Sequence, residues 1–542
     1  MIWPIERYWH TLRYLKPVQI YGRLWFRLYR PRPDLEPAPP LRQPLSMPVA
    51  WVDRPSCMTG PNSFRFLNQD GDLSRGWNSP AYSRLWRYNL HYFDDLNAEA
   101  CAERRAWHDA LLVRWIVENP PGEDGGWEPY PLSLRIVNWI KWFLAGNEPR
   151  PEWLHSLAVQ VRYLRRRLEY HLLGNHLWAN AKALVFAGMF FGGREADGWL
   201  AKGLRMLRRE LAEQVLPDGG HFERSTMYQA IILEDVLDLL NLFRVYGRQA
   251  PEDWPDAAYR MRVWLWTMTH PDGRMALFND AAFGIAPGTA ALDAYSDRLG
   301  QGCWDWRWHP VTWWGESGYI RCELGEAVLL LDVAPVGPDY IPGHAHADTL
   351  NFEFSLFGQR VIVDSGTSTY EKNGERQRQR GTAAHNTVVV DGADSSEVWG
   401  GFRVARRARP FDLTVDKNQA AIKVVCSHDG YRRLPGKPVH RRQWLLSEQG
   451  LQVLDRVDGA FHKAEARYHF HPEVRVELAK DGTGKLLLSA DQTVLFRVIK
   501  GRSRLESSTY HPEFNLSQVN KCLVVELADA EAEVRFMPVL GF

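Results

Sequence analysis

Residues 340–392 read YIPGHAHADTLNFEFSLFGQRVIVDSGTSTYEKNGERQRQRGTAAHNTVVVDG. Within this stretch, residues 351–356 alternate polar with apolar side chains, and residues 360–363 and 387–390 are short β-branched runs. These patterns predict three β-strands. Only one small residue separates His344 from His346, so on an extended backbone both side chains lie on the same face.

Histidines and an aspartate stand at the ends of these predicted strands. Three neighbouring strands would bring His346, Asp364 and His385 together as a metal site of two imidazoles and one carboxylate. His344 would face the same cleft without binding the metal. A single histidine or aspartate beside a strand is more often a hydrogen-bonded structural residue. The H-x-H-x-D pattern with a later His-Asn pair, all at strand ends, favours the functional interpretation.

Outward from this stretch, the sequence pattern divides the chain into three parts. Residues 1–60 combine a basic, aromatic segment with a proline-rich connector, residues 61–311 show helical apolar spacing, and residues 312–542 show short alternating runs between turns. We predict an incomplete (α/α) toroid followed by an antiparallel β-sandwich, with the functional cleft between them. A plain helical solenoid is the alternative for the first domain, although no fixed sequence period supports it.

Length and composition set the broad class of protein. The chain has 542 residues, which is too long for a single core. A net charge of +1 gives no indication of nucleic-acid binding, and we expect neither a nucleic-acid partner nor an organic cofactor. The 24 tryptophans suit packing against sugar rings, and they suit a large helical core equally. The six cysteines form no C-x-x-C motif, which argues against a zinc ribbon or a dense disulfide framework.

The first 33 residues, MIWPIERYWHTLRYLKPVQIYGRLWFRLYRPRP, interrupt every apolar run with Arg or Lys. This pattern differs from a secretory signal peptide, and no later segment has 18 uninterrupted apolar residues. We therefore expect no transmembrane helix and a cytoplasmic or membrane-peripheral location. The segment is typical of a helix on a membrane surface or a partner. We favour the alternative of a helix packed on the domain, with its arginine side chains extending to solvent.

Two helical segments carry unusual polar clusters. The first, LGNHLWANAKAL at residues 173–184, places Asn175 and His176 at a helix start, where free backbone N–H groups favour an anionic ligand. The second, DGGHFERSTMY at residues 218–228, is a glycine-rich turn leading into a helix with Glu223 and Tyr228. A capping asparagine and a half-buried tyrosine are the simpler interpretations.

A further pair of segments offers aromatic and polar side chains to a sugar. WRYN, at residues 86–89, contributes Trp86 and Asn89, and WEPYPLSLR, at residues 127–135, contributes Trp127 and Arg135. We predict that these four residues, together with Glu223, contact an acidic sugar.

Together these motifs resemble the heparinase II/III family of polysaccharide lyases, which also includes alginate-type lyases. The resemblance is carried by GNH at residues 174–176, DGGHFERSTMY at 218–228, GHAHAD at 343–348, VDSGTSTY at 363–370 and TAAHNTVVVDG at 382–392. It implies an (α/α) toroid followed by an antiparallel β-sandwich. It also implies an acidic polysaccharide as the substrate, with heparan-like, alginate-like and bacterial exopolysaccharides left open.

The resemblance implies β-elimination at a uronic acid and gives each catalytic residue a role. Asn175, with His176 beside it, meets the sugar carboxylate, because a second unshielded charge on the enolate-like species would be costly. Tyr228 donates the proton to the departing C4 oxygen. Either His344 or Tyr228 removes the C5 proton, and His344 is the easier base because a histidine is near neutral at pH 7. Tyr370 is a second tyrosine candidate.

The resemblance also implies a zinc ion held by His346, Asp364 and His385. We expect a structural role for this ion, fixing the strands that aim His344. The segment before the His-Asn pair has Gly381 where relatives often have serine. The arginines of that segment, Arg380 among them, favour a polyanionic substrate, although a solvated basic loop is the simpler interpretation.

Two alternatives to a lyase remain open at this stage. One is a non-catalytic glycan-binding or polysaccharide-assembly protein with the same fold. The other is a glycoside hydrolase, which would need two carboxylates across the scissile bond, and Glu223 with Asp280 are the candidates. Relatives that depolymerise polysaccharides are usually periplasmic, whereas segment 1–33 resembles members encoded with bacterial surface-polysaccharide synthesis. The sequence does not define the oligomeric state.

Overall fold

The structure is a computed structural model that describes residues 3–302, 309–488 and 492–539. The helices within these ranges are α1 (Trp3–Leu12), α2 (Pro17–Leu28), α3 (Arg84–Tyr92), α4 (Arg105–Glu118), α5 (Pro129–Leu144), α6 (Pro151–Arg166), α7 (Gly174–Phe190), α8 (Gly193–Gln214), α9 (Thr226–Val245), α10 (Asp253–Thr267), α11 (Thr289–Arg298) and α12 (Gly374–Arg380).

The strands in the first two thirds of the chain are β1 (Met58–Gly60), β2 (Ser63–Phe66), β3 (Gln69–Asp72), β4 (Val311–Trp314), β5 (Tyr319–Leu324), β6 (Ala327–Asp332), β7 (Phe352–Leu356) and β8 (Gln359–Ile362). Those that follow are β9 (Val388–Val390), β10 (Val398–Trp399), β11 (Arg403–Val404), β12 (Pro410–Lys417), β13 (Ala421–His428), β14 (Val439–Ser447), β15 (Gly450–Asp458), β16 (Ala464–His469), β17 (Arg475–Leu478), β18 (Thr483–Leu487), β19 (Thr493–Lys500), β20 (Arg502–Tyr510), β21 (Gln518–Glu526) and β22 (Glu531–Pro538).

Helix α7 lies at the centre of the helical domain. It packs against α5, α8 and α9, and nearly all of its side chains are buried. Its small residues permit this close packing: a Cβ on Gly188 would lie 2.5 Å from the backbone nitrogen of Leu200 in α8. A helix buried on all sides is not amphipathic, so most of residues 174–190 are apolar or small. The buried Lys182 of this helix is paired with Asp235 and Asp238 of α9.

Tryptophans fill the core of the helical domain. Trp115, Trp139 and Trp153 are fully buried, and the rings of Trp115 and Trp139 pack edge to face with centroids 5.9 Å apart. Such pairs stabilise the core beyond the area they bury. Many of the tryptophans therefore pack in the helical core. This is one of the two interpretations of their high number; the other is packing against sugar rings.

The second domain is an antiparallel β-sandwich. One layer is an eight-stranded sheet of order β12-β13-β14-β15-β22-β19-β18-β17. The other layer combines the five-stranded sheet β4-β5-β6-β7-β8 with the four-stranded sheet β20-β21-β16-β9, joined where the N–H of Val363 donates to the carbonyl of His469. Apolar side chains from all three sheets form one core. The predicted fold, a toroid followed by a sandwich, is confirmed.

Residues 30–57 run extended along the helical domain, and the N–H of Leu45 donates to the carbonyl of Val245. They lead into the small antiparallel sheet β1-β2-β3, which the sequence analysis does not predict. Among the described residues, the last helix before the sandwich ends at Arg298, and the first strand of the sandwich begins at Val311. The domain limits drawn at residues 60 and 311 stay predictions. Cys303 lies outside the described residues, and the other five cysteines are free.

Helices α1 and α2 contact both domains. Lys16, between the two helices, forms an ion pair with Glu213 of α8, and the side-chain amide of Gln19 in α2 donates to the carbonyl of Tyr340 in the second domain. The ring of Phe26 packs on His171 with centroids 4.2 Å apart. The segment is thus packed on the protein, as the favoured alternative required. Along the described chain no helix is long and apolar enough to cross a bilayer.

Candidate active site

A cleft of about 1410 Å³ lies between the helical domain and the β-sandwich. Its helical wall includes Asn175 in the first turn of α7 and Tyr228 in the first turn of α9. His344 and Tyr370, from two loops of the second domain, face the same space. His176 lines the cleft as well, so all five residues predicted as catalytic meet at one cavity, although they come from four separate segments.

A buried carboxylate holds His344. Nδ1 of His344 lies 2.9 Å from Oδ2 of Asp280, and the other oxygen of Asp280 lies 2.9 Å from Nε2 of His346. Arg376 donates to both oxygens of the same carboxylate. Because an ionised carboxylate only accepts hydrogen bonds, His344 donates through Nδ1, and its Nε2 remains as the basic nitrogen.

The ionised form of Asp280 is strongly favoured, and its position is fixed. Burial opposes its ionisation, but Arg376 and the two histidines outweigh burial and hold the pKa of Asp280 well below its ordinary value. Its N–H donates to the carbonyl of His344, and its own carbonyl accepts from the hydroxyl of Ser225 at 2.6 Å. Ser225 also caps α9 by accepting from the N–H of Tyr228. One serine thus links the positions of Asp280 and Tyr228.

Two tyrosines adjoin His344. The hydroxyls of Tyr228 and Tyr370 lie 3.3 Å apart, and the ring centroid of His344 lies 4.2 Å from that of Tyr228. Burial raises the pKa of Tyr228 well above its ordinary value, and the neighbouring Tyr370 and Glu223 raise it further. Burial raises the pKa of Tyr370 as well. Both hydroxyls therefore keep their protons near neutral pH and are suited to donate rather than to accept.

The start of α7 brings a buried carboxyl group beside the cleft. Gly174 has a φ of 54°, and a Cβ there would lie 2.9 Å from Oε1 of Glu223, so only glycine fits without strain. Both oxygens of Glu223 are buried and lack a hydrogen-bond partner among the described residues, and Nε2 of His344 lies 3.6 Å away. Burial raises the pKa of Glu223, which favours its neutral form.

His176, next to Asn175 at the start of α7, also lines the cleft and pairs with a different carboxylate. Its Nδ1 is 3.1 Å from Oε1 of Glu169, and its ring packs on Tyr130 with centroids 4.5 Å apart. Burial lowers the pKa of His176, but Glu169 outweighs burial and raises it overall. A cationic His176 would add positive charge at the place where the free N–H groups of α7 already favour an anion.

A possible three-residue metal site lies on the far side of Asp280. Nδ1 of His346, Nε2 of His385 and Oδ2 of Asp348 are buried and lack a hydrogen-bond partner among the described residues. One ligand atom from each residue lies within 4.8 Å of the others. Three lone pairs that face each other in a buried space repel unless a cation lies between them. Two imidazole nitrogens and one carboxylate oxygen are a donor set that suits a divalent transition metal.

This cluster differs from the predicted set in its carboxylate. Asp348 supplies the free oxygen, whereas Asp364 is a hydrogen-bond partner of the histidine. Oδ2 of Asp364 accepts from Nδ1 of His385 at 2.7 Å and from the amide of Asn351, and Oδ1 accepts from the N–H of Gly366. Asp364 therefore orients His385 so that its other nitrogen points into the cluster.

Four residues predicted to contact substrate are buried away from the cleft. Trp86 is fully buried against Tyr82, and the indole N–H of Trp127 donates to a backbone carbonyl in the core. Arg135 is buried over the ring of Trp115 and donates to two backbone carbonyls. These side chains build the helical domain. The fourth, Arg380, is buried in α12.

Of the other predicted substrate contacts, Asn89 and Glu223 line the cleft. The basic segment 376–380 is not a solvated loop but forms α12. Arg376 and Arg380 are fully buried there, and Arg380 donates to the carbonyl of Ala345. Arg380 therefore supports the loop that carries His344 instead of meeting substrate.

Sequence reasoning did not single out Asp348, it grouped Arg376 with the arginines that favour a polyanion, and it considered Asp280 only for the hydrolase alternative. A signal for Asp348 was present, because it lies in the H-x-H-x-D pattern. No local pattern links Asp280 to His344, since 64 residues separate them.

Two family models match most of the chain. The model described as Heparinase II/III N-terminus matches residues 78–287, and the model described as Heparinase II/III-like, C-terminal, matches residues 308–535. The chain belongs to the heparinase II/III family. The limits of the two matched regions enclose the helices α3–α10 and most of the β-sandwich of this heparinase II/III protein.

Curated relatives include heparin-sulfate lyases and one protein with another kind of name. The lyase of Bacteroides stercoris is 26% identical over 49% of this chain and 43% of its own length. The lyase of Bacteroides thetaiotaomicron is 24% identical over 71% of this chain and 62% of its own length. FtsZ-localized protein C of Caulobacter vibrioides is 26% identical over 78% of this chain and 75% of its own length. The chain thus spans between two fifths and two thirds of the two Bacteroides lyases.

Solved structures of the family share the fold. A crystal structure of heparinase III superposes with a TM-score of 0.71 at 19% identity, covering 88% of this chain and 81% of that one. The heparan sulfate lyase HepC from Pedobacter heparinus superposes with a TM-score of 0.61 at 18% identity, covering 89% and 81%. At identities of 18% and 19%, these superpositions show that this heparinase II/III protein has the same fold as heparinase III and HepC.

Proposed function

We propose that this protein is a polysaccharide lyase that cleaves a uronic-acid-containing acidic polysaccharide by β-elimination. The observation that carries the proposal is the convergence of Tyr228, His344 and Asn175 at one cleft, with Asp280 fixing the tautomer of His344. A base, a proton donor and a carboxylate-binding group are the three elements that the reaction needs.

In this proposal His344 is the base. Its Nε2 takes the proton from C5 of the uronic acid, the C5–H electron pair forms the new C4=C5 double bond, and the C4–O bond breaks. Asp280 stabilises the imidazolium that results, because it is an ionised acceptor at the opposite nitrogen. Tyr228 is less suited to the role of base, since its raised pKa makes the tyrosinate costly.

Tyr228 would then donate its proton to the departing C4 oxygen. Tyr370, whose hydroxyl lies 3.3 Å from that of Tyr228, would stabilise the phenolate left behind through a hydrogen bond. The sugar carboxylate would meet the amide of Asn175 and the carboxyl group of Glu223. A neutral Glu223 donates a hydrogen bond to a carboxylate, whereas an ionised one would repel it.

We further propose that the buried cluster of His346, Asp348 and His385 holds zinc. Zinc at this position would cross-link the loop segments before β7 and β9 that carry these residues, and it would have a structural role, since Asp280 lies between the cluster and His344. Asp280 orients the imidazole of His346, and Asp364 orients that of His385.

The two alternatives to a lyase are a hydrolase and a non-catalytic assembly protein. A hydrolase is disfavoured because Asp280, the second carboxylate it would need, has both oxygens bound to Arg376, His344 and His346. A non-catalytic glycan-binding or assembly protein stays the second alternative, because one relative, FtsZ-localized protein C, has a name that refers to no lyase activity.

The test is the ultraviolet absorbance of the new C4=C5 double bond during incubation with a panel of uronate polymers. The panel begins with heparan sulfate, because the names of the lyase relatives refer to heparin sulfate. It continues with alginate and with bacterial exopolysaccharides. The wild type is compared with Tyr228→Phe and His344→Ala, each expected to lower the rate by about 10²–10⁴-fold.

Two matched variants serve as controls. Tyr246→Phe removes a buried hydroxyl that lacks a hydrogen-bond partner among the described residues, and His462→Ala removes an exposed imidazole. Both should keep wild-type rates. New reducing ends without the absorbance would move the assignment to a hydrolase. Binding of a polymer with neither product would favour the assembly protein.

A further inference from the structure

One outer face of α2 is apolar and exposed to solvent. Ile20, Leu24 and Leu28 are spaced four residues apart, so they lie along one side of the helix, and they are 61%, 61% and 75% exposed. Tyr21 and Trp25 lie beside them and are 63% and 62% exposed. Single exposed apolar residues are ordinary, but five on one 12-residue helix form a patch that calls for a partner.

Helix α1 extends the exposed apolar surface. Ile5 and Trp9, also four residues apart, are 74% and 65% exposed. Twelve large hydrophobic side chains in the described ranges are at least 60% exposed, and seven of them belong to α1 and α2. This concentration distinguishes the two helices from the rest of the surface.

Basic side chains adjoin the apolar face. Tyr21 and Trp25 line a groove of about 610 Å³ with Lys202, Arg205 and Arg209 of α8. Two acids also line this groove. Glu213 is paired with Lys16, and Glu210 accepts from Gln214 within its own helix. The groove therefore combines exposed aromatic rings with three cations of α8.

The segment formed by residues 1–33 is also strongly basic as a whole. Residues 1–33 contain seven Lys or Arg and one acid, a net charge of +6, so the other 509 residues together carry −5 because the chain carries +1. The acid is Glu6, which forms an ion pair with Arg406. Arg13, Arg23, Arg27, Arg30 and Arg32 are exposed. A second copy of the chain that docked through the same segment would bring the same positive charge against this face, and the two would repel.

We propose that the outer faces of α1 and α2, with the adjoining basic side of α8, bind the surface of a lipid bilayer rich in anionic headgroups. Apolar side chains would enter the headgroup region, tryptophan and tyrosine would lie at the interface, and arginines would contact lipid phosphates. This binding does not depend on the proposed lyase reaction. Tyr8, Leu15 and Gln19 of the same segment line the cleft, so docking holds the cleft next to the bilayer.

The experiment is flotation of the full-length protein with vesicles of phosphatidylcholine alone and of phosphatidylcholine mixed equally with phosphatidylglycerol. We expect the protein to float with the mixed vesicles and not with phosphatidylcholine alone, and high salt should weaken the binding. Arg205→Glu/Arg209→Glu and Leu24→Ser/Trp25→Ser should each weaken partitioning roughly tenfold or more.

Val117→Ser/Val519→Ser is the matched control, because both valines are more than 70% exposed and lie elsewhere on the surface. It should bind as the wild type does. All substituted side chains are exposed, so each variant should fold. An unchanged thermal unfolding curve will confirm that it does. The proposal is overturned if the wild type binds neither vesicle, or if both α2/α8 variants bind as the control does. It is also overturned if the wild type is a dimer that these variants dissociate without changing lipid binding.

Discussion

Replacing Asp280 by asparagine should damage stability and catalysis by separable amounts. Asp280 and Arg376 are both fully buried, and the guanidinium donates to both carboxylate oxygens. Asp280→Asn keeps the shape of the side chain, but it leaves the guanidinium buried without a counter-charge. It also puts an amide where His344 and His346 each need an acceptor.

The magnitude follows from this burial. Two charges about 4 Å apart at an effective dielectric constant of about 20 attract each other by about 4 kcal/mol. Measured losses for breaking a buried pair are about 3–5 kcal/mol, because the remaining charge stays desolvated. We expect the free energy of unfolding to fall by that amount. The turnover of the molecules that remain folded should fall by a further factor of about 10²–10⁴, because His344 loses the acceptor that fixes its tautomer.

Asp455→Asn is the matched control for stability. Asp455 is fully buried in the sandwich and accepts from Arg442 and from Nε2 of His440, so it has the same kinds of partner as Asp280. Denaturant unfolding of both variants gives the change in stability. The ultraviolet absorbance assay, run on a polymer that the wild type cleaves, gives the turnover. Asp455→Asn should lose similar stability and keep wild-type turnover below its unfolding transition.

Two results would refute this reasoning. If Asp280→Asn unfolds as the wild type does, the buried pair with Arg376 does not have the strength assigned to it. If Asp455→Asn loses as much turnover as Asp280→Asn while still folded, the loss reflects general destabilisation, and Asp280 does not position the base.

Two further predictions concern pH and metal. Burial lowers the pKa of His221 to about 3 in the folded protein, whereas its pKa in the unfolded chain is about 6.5. The stability contributed by the neutral imidazole is therefore fully present above pH 6.5 and is lost as the pH falls from 6.5 towards 3. The destabilisation caused by His221→Gln, measured by denaturant unfolding, should therefore be about 2 kcal/mol smaller at pH 5 than at pH 8, and an equal difference at both pH values would contradict the assigned shift. The purified protein should contain about one zinc ion per chain by elemental analysis, and a chelator should lower its melting temperature. His385→Ala should abolish both effects, whereas His440→Ala, which removes a buried histidine of the sandwich core, should leave the zinc in place, and a metal-free wild type would refute the zinc site.

Local motifs were sufficient to find the residues that face the cleft. Asn175, Tyr228 and His344 each belong to a short pattern whose residue types carry chemistry, and the structure places all three at the cavity. The order of toroid and sandwich was also predictable, because apolar spacing changes from the helical to the strand period along the chain.

Residues that depend on contacts between distant segments were not predictable in this way. Arg135 has the residue type of a sugar ligand, yet packing over Trp115 and two backbone carbonyls determine its position. Asp280 lies 64 residues before His344 and 96 before Arg376, so no local period links it to either. Burial and partner choice at these positions arise only when distant segments pack together, within the helical domain for Arg135 and between the two domains for Asp280.

The placement of α1 and α2 has a mechanical consequence. Lys16 and Gln19 tie this segment to α8 and to the loop at Tyr340, while Thr11 accepts from the indole N–H of Trp399 in the second domain. The segment therefore acts as a brace along one side of the cleft. Any change in the angle between toroid and sandwich must break or stretch these contacts, so the width of the cleft depends on residues outside the proposed catalytic set.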